Sequence, residues 1–169
     1  MGYIHNVSMS QFLGPCISMV SAGTWTDTIV SNVWSRNRTA GAASFTMRIP
    51  IQIFSNSVAA RGSYLTSIDV WYEIATAAAT DFATVLLYKI TLPVTGTLAT
   101  AASVAVTLDA AHDTAAERKA VDEHKMTLTL DTPAWLDDDE AYNVELIVSC
   151  AATTVFKFFG SRANFVLRL

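Results

Sequence analysis

Polar and apolar residues alternate along much of this chain. From Phe45 to Ile53 the odd positions are all apolar and the even ones mostly polar, and a period of two puts one face of a strand against a core. Pro50 cannot donate a ladder hydrogen bond, so that strand belongs at a sheet edge or carries a bulge there. A second run directs Ile68, Val70, Tyr72 and Ile74 inward and Asp69, Trp71 and Glu73 outward. The run from Thr84 to Ile90 is apolar on both faces, which fits a central strand or one covered by a partner. Further strands are expected over Trp25–Val30, Val104–Leu108, Met126–Leu130, Tyr142–Cys150, Val155–Phe159 and Asn164–Leu169. Turns are expected through Asn37, Arg38 and Gly41, from Ala78 to Asp81, and from Pro93 to Gly96.

About eight short strands with turn signals between them, and no strand–helix–strand rhythm, predict an all-β fold: an antiparallel β-sandwich of Greek-key or jelly-roll type. One segment breaks the pattern. Residues 112–124 carry much of the charge, and Thr114-x-x-Glu117 has the spacing of a capping box, so a short helix or helical loop is expected there. Arg118 with Asp122 and Lys119 with Glu123 have the spacing of surface ion pairs. The two-apart spacing of Leu136, Asp138, Glu140, Tyr142 and Val144 resembles a tyrosine corner, whose hydroxyl would bond back to the upstream backbone; a plain strand tyrosine is the alternative. Residues 1–23 show neither clean periodicity nor formal charge. They read as an irregular N-terminal arm beside a sandwich domain of residues 24–169, docking across a subunit boundary.

Composition sharpens this picture. Of 169 residues, 51% are hydrophobic and only 15% charged, where soluble domains average roughly 25%. One domain of this size has more surface than so few charges can cover, which points to a surface of Thr, Ser, Ala and Asn, to burial against another chain, or to both. The net charge is −4, and the 11 basic residues are scattered, so no stripe exists to neutralise phosphates and nucleic acid is not expected as a partner. The uncharged stretch Val7–Thr26 is interrupted by Ser8, Ser10, Gln11 and Gly14-Pro15, and reads as neither a signal peptide nor a membrane span. Asn6 at the sixth position disfavours myristoylation. The glycosylation patterns at Asn6 and Asn37 read as chance, and synthesis in a cytoplasm is expected. Cys16 and Cys150 read as two buried free thiols or one disulfide.

Candidate chemistry is sparse. His5, His112 and His124 can titrate near neutrality. His112 and His124, with Asp113 and Asp122-Glu123, could form an acid–base or metal set, but a solvated loop is the stronger reading. No nucleophile elbow, zinc-protease motif, phosphate loop or dinucleotide fingerprint occurs. No catalytic residue and no cofactor is therefore expected. The run Asp137, Asp138, Asp139 and Glu140 is a weak calcium candidate without EF-hand spacing. Trp25, Trp34, Trp71 and Trp135, with Tyr3, Tyr64 and Tyr88, raise the possibility of sugar stacking. Trp71 on the polar face of its strand is open to three explanations: cover by the arm, a subunit contact, or a carbohydrate platform. Candidate interface residues are Phe12, Ile17, Trp71, Leu86 and Tyr88.

The segments Asp113-Thr-Ala-Ala-Glu-Arg-Lys119, Asp122 to Pro133, Trp135-Leu-Asp-Asp-Asp-Glu-Ala-Tyr142 and Phe158-Phe-Gly-Ser-Arg-Ala-Asn164 resemble uncharacterised proteins of tailed-bacteriophage structural gene clusters. The resemblance implies a virion component such as a capsid decoration, cement or auxiliary head protein. It would act as a homo-oligomer, bound to itself and to a major capsid or other virion protein, without membrane or nucleic acid. No catalytic residue carries over from it. A carbohydrate-binding sandwich on a fibre or particle surface is the alternative.

Overall fold

A computed structural model of the chain describes residues 6–53, 62–93, 95–96 and 99–168. Tyr3 and His5 lie outside them. The strands are β1 (Asn6–Leu13), β2 (Met19–Val20), β3 (Trp25–Val30), β4 (Val33–Arg38), β5 (Ser44–Ile51), β6 (Ser63–Ala75), β7 (Asp81–Thr91), β8 (Thr100–Val104), β9 (Val106–Leu108), β10 (Asp122–Trp135), β11 (Glu140–Ser149) and β12 (Val155–Arg168). One sheet runs β3-β4-β12-β6-β10-β9, with β1 also on β12, and the other runs β2-β5-β11-β7-β8. Every pairing is antiparallel. The protein is an all-β sandwich.

The core lies between the sheets, where the alternation places it. Phe45, Met47, Ile49 and Ile51 of β5 face Ile68, Val70, Tyr72 and Ile74 of β6 across a layer completed by β10, β11 and β12. Phe45, Phe156 and Trp25 meet edge to face, with Phe45 and Phe156 at 5.1 Å, an arrangement aromatic quadrupoles favour. β7 is an interior strand, between β11 and β8, which accounts for its two apolar faces. β5 lies between β2 and β11, but β2 pairs it only at Met47 and Arg48, so Pro50 lies beyond the end of that partner, where its missing N–H costs no ladder bond.

Several expectations are corrected. Residues 6–13 are not irregular: β1 forms an eight-residue ladder with β12 of its own chain. A 3₁₀ turn at Pro15–Ile17 then carries the chain to β2 in the other sheet. The run expected as one strand over Val104–Leu108 is divided at Ala105, with β8 in one sheet and β9 in the other. The turn placed around Asn37 is strand, and the reversal sits at Ser31-Asn32, with φ of 51° and 67°, as a two-residue type I′ hairpin requires. The Tyr142 hydroxyl is buried without a hydrogen-bond partner, so no tyrosine corner forms. Cys16 is exposed and Cys150 buried, both as free thiols.

The capping box forms. α1 (Ala115–Arg118) is capped by the Thr114 hydroxyl, and Glu117 returns the bond. Arg118 does not reach for Asp122. It turns inward, where its guanidinium donates to the carbonyls of Phe82 (2.9 Å), Ala83 (3.2 Å), His112 (2.7 Å) and Asp113 (3.0 Å). Five N–H groups in a planar fork suit such a set of acceptors, and the excursion is thereby bound to β7.

Candidate functional site: an apolar hairpin, an open cleft and two packed polar clusters

The β3–β4 hairpin is stitched at its base and bare at its tip. Arg36 grips Asp27 through two bonds, Nε–Oδ1 at 2.8 Å and Nη2–Oδ2 at 2.9 Å. The hydrogen bond from that guanidinium, with its charge in support and against a smaller opposing effect of burial, holds the Asp27 carboxyl below its usual range. Arg36 also donates to the Ser18 carbonyl, and Asn37 Nδ2 to Thr28 Oγ1 at 2.8 Å. Beyond this girdle, residues 28–35 carry no charge. Ile29 stands opposite Trp34, and Val30 opposite Val33. They are 63%, 58%, 66% and 54% exposed, respectively. β4 pairs β12 only at Arg36, Asn37 and Arg38, so the tip leaves its sheet; Ile29 and Trp34 line a groove with Pro15 and Cys16, and Val33 a cleft with Trp71 and Phe159.

Why it leaves is visible in β12. Phe158 still pairs within the β4 ladder, but from Ser161 onward β1 occupies the same edge. The ladder of β12 with β6 slips between Phe158 and Gly160, a bulge that bends the strand. Sequence reasoning missed this hairpin because Ser31-Asn32 lacks the glycine that usually marks a type I′ turn. The mirrored string Thr-Ile-Val-Ser-Asn-Val-Trp-Ser was the available signal.

On the outer face of the larger sheet, Trp71 is covered from within the chain. Phe12 of β1 tilts against it with ring centroids 6.0 Å apart, and the Arg162 guanidinium lies 5.3 Å from its ring centre. Beside it sits a polar hub. Asp69, 2% exposed, accepts from Arg162 Nη2 (2.6 Å), Arg162 Nε (3.0 Å), Thr127 Oγ1 (2.8 Å) and Asn164 Nδ2 (3.2 Å). Burial pushes its carboxyl up, but these bonds and the Lys125 charge outweigh that and hold it below the ordinary value.

The outer face of the smaller sheet carries a cleft of about 550 Å³, with Tyr88, Ile90, Ala101, Ala141, Asn143 and Pro50 in its lining. Ala101 and Ala141 supply too little side chain to fill the space between their larger neighbours. The one charged lining residue, Arg48, is paired with Glu145 at 2.8 Å. Asn143 Oδ1 is buried there without a hydrogen-bond partner.

The charged excursion is packed on one side only: His112 and Arg118 are buried, while Asp113, Asp122 and Glu123 stay exposed to solvent. Asp109 Oδ1 meets His112 Nδ1 at 2.7 Å, His112 Nε2 meets His124 Nδ1 at 3.2 Å, and His124 Nε2 meets the Ala120 carbonyl at 3.1 Å. A carboxylate and a carbonyl accept only, so both outer ring nitrogens donate. A direct hydrogen bond between the two rings then requires a third proton. Tyr72 stacks on His124 at 4.6 Å and donates to the Arg118 carbonyl at 3.0 Å. Asp109, not Asp113 or the Asp122-Glu123 pair, is the acid that His112 meets.

No protein-family model matches the chain, and no curated protein matches it in sequence.

The five candidate interface residues do not form one patch. Phe12 and Trp71 touch one another on the larger sheet, and Ile17 packs against the core. Tyr88 lines the cleft on the smaller sheet, with Leu86 half-buried on the same strand. The Asp137–Glu140 run does not converge: Asp137 and Asp138 are exposed, and Glu140 pairs with Lys89. Among the described residues, no group of three or more His, Cys, Asp or Glu could hold a metal ion. No described helix is long and apolar enough to cross a membrane.

Proposed function

We propose that this protein is a non-enzymatic structural subunit that acts by homo-oligomeric assembly. The resemblance stated above gives a phage virion as its setting and a decoration or auxiliary head protein as its role. The observation that carries the reading is the β3–β4 tip, where the cross-strand pairs Ile29–Trp34 and Val30–Val33 lie on opposite faces of the ribbon, each residue more than half exposed. Apolar patches on the order of several hundred Å² on a monomer mark contact surfaces. The histidine cluster suits a packing role, its ring nitrogens meeting Asp109, one another and the Ala120 carbonyl.

A second cleft of about 440 Å³, lined by Trp71, Glu123, Lys125 and Phe159 among others, favours the carbohydrate-binding alternative. It ranks lower because Phe12 and Arg162 already occupy the surroundings of the Trp71 ring.

Sedimentation velocity tests the main reading. The wild-type chain is expected to sediment well above its 18.3 kDa monomer. An Ile29→Ser/Trp34→Ser variant is expected to remain folded and shift to monomer. A wild-type chain that stays monomeric throughout overturns the proposal, and glycan-dependent binding by that monomer would favour the alternative.

A further inference from the structure

We infer that His112 and His124 form a pH-sensitive lock, closed by one proton shared between their rings, that fastens residues 111–120 to β10. The outer nitrogen of each ring is committed. His112 Nδ1 donates to Asp109 Oδ1 at 2.7 Å, and His124 Nε2 to the Ala120 carbonyl at 3.1 Å. The inner nitrogens, His112 Nε2 and His124 Nδ1, then face one another at 3.2 Å. With two protons on the pair, both inner nitrogens carry lone pairs and repel. With four, both carry N–H groups and repel again. Three protons give one N–H···N bond, so the contact closes at a single protonation count.

A proton suits this gap better than a metal ion. Among the described residues, no third His, Cys, Asp or Glu joins the two rings to complete a ligand set. The closed contact also completes a circuit. Asp109 accepts from the Thr127 amide of β10 at 2.6 Å and from the Ala111 amide at 3.1 Å, and His124 stands on β10 itself. The path from Thr127 through Asp109, His112 and His124 to Ala120 thus ties both ends of the excursion to one strand. When the rings part, Arg118 remains as the other fastening.

The surrounding charges hold the pair at one positive charge. Asp109 supplies an anion: burial raises its carboxyl, but bonds from the Thr127 amide and the His112 ring outweigh this. α1 supplies Glu117, within electrostatic reach of His112, and Arg118, whose buried guanidinium donates to the His112 carbonyl at 2.7 Å. Lys119 turns away to the Thr80 carbonyl. Tyr72 of β6 stacks on His124, and burial pushes its phenol up, so it stays neutral. Phe82 of β7 and Phe156 of β12, packed on Tyr72, bring no charge. Asp113, Asp122, Glu123 and Lys125 are exposed, where water screens them. One imidazolium beside Arg118 balances Asp109 and Glu117, and a second would not be balanced. Compared with separate rings in the unfolded chain, the closed pair keeps an extra proton on the alkaline side and one fewer on the acid side. Its contribution therefore falls as pH rises out of the closed interval, and falls again as pH drops below it.

Nitrogen-15 NMR of labelled histidine tests the inference in a His5→Gln background, which leaves only these two rings. In the closed interval, three ring N–H protons and a coupling across the hydrogen bond between His112 Nε2 and His124 Nδ1 are expected. Protection of the Lys119 and Ala120 amides should be greatest there. It should fall roughly tenfold or more on either side, the worth of one charge-assisted hydrogen bond. His124→Gln offers His112 an amide donor that does not titrate, and is expected to flatten this pH profile. Absence of the coupling at every pH where the chain is folded overturns the inference, and so does a His124→Gln profile that matches the wild type. If that variant fails to fold, the coupling in the intact pair still decides. Protection that requires added zinc and is lost to a chelator would make the occupant a metal ion and overturn the shared proton. None of these readouts depends on whether the chain assembles.

Discussion

Gly160 passes so close beneath Leu13 that a Cβ added to it would stand 2.6 Å from the Leu13 carbonyl oxygen. The same atom would stand 2.6 Å from Phe12 Cζ, and Gly160 has φ near +130°. Here β12 bends, β4 ends its pairing and β1 begins its own.

Gly160→Ala is therefore expected to cost about 2–4 kcal/mol, from the backbone conformation and the contact with β1 together. Urea denaturation measures the loss. Hydrogen exchange should show it first in residues 6–13, and an unchanged exchange pattern there would contradict the account.

Asp69→Ala should cost about 2–4 kcal/mol, because it leaves Arg162, Thr127 and Asn164 without their shared acceptor. The pH dependence follows from the direction of the shifts. The carboxyls of Asp69 and Asp109 are both held below their usual value of 3.8, so they bind protons more weakly folded than unfolded. Their contribution is present above that value and is lost as pH falls through the lower folded values. Urea midpoints measured from neutral pH into the acid range should fall below about pH 4, and Asp69→Asn should flatten part of that decline.

Arg118→Met should release residues 112–124, since four carbonyl partners lose their donor at a cost of about 3 kcal/mol or more. Arg118→Lys should rescue little, because an ammonium cannot reproduce the planar fork. Amide exchange across α1 is the readout, and protection retained in the methionine variant would show that packing alone holds the excursion.

Thiol labelling offers a simpler check. Burial pushes the Cys150 thiol up, against a smaller opposing effect of Arg38, and the thiolate is the reactive form. One thiol per native chain, Cys16, should react quickly, and both should react after denaturation. Rapid modification of Cys150 in the native protein would mean that its strand end opens.

Sequence legibility followed the physics of each segment. β5 and β6 were legible because one buried face imposes a period of two, and Met47, Ile49, Val70 and Tyr72 lie where that period puts them. The helix was legible because Thr114 and Glu117 satisfy each other locally. β1 was not, since most of its residues are exposed and only its partner β12 makes it a strand. The roles of Arg118 and Asp109 were also hidden: a charged residue in a charged segment looks solvated until the fold supplies distant carbonyls or a buried imidazole. The hairpin tip escaped because its apolar residues face water, which no burial pattern announces.

β12 has a consequence for the order of folding. It pairs with β1, β4 and β6, so residues 6–13 meet partners that lie from 148 (Leu13 to Ser161) to 162 (Asn6 to Arg168) positions further along the chain. Until the ribosome has synthesised residues 155–168, the larger sheet lacks its middle strand and the apolar faces of β6 and β10 have incomplete cover. Contacts this distant in sequence make for slow, late closure, and the unfinished sheet exposes strand edges to neighbouring chains. A nascent subunit is then vulnerable to aggregation until residues 155–168 have been made, and rapid capture by a chaperone or slow translation before that point should raise the yield of folded protein.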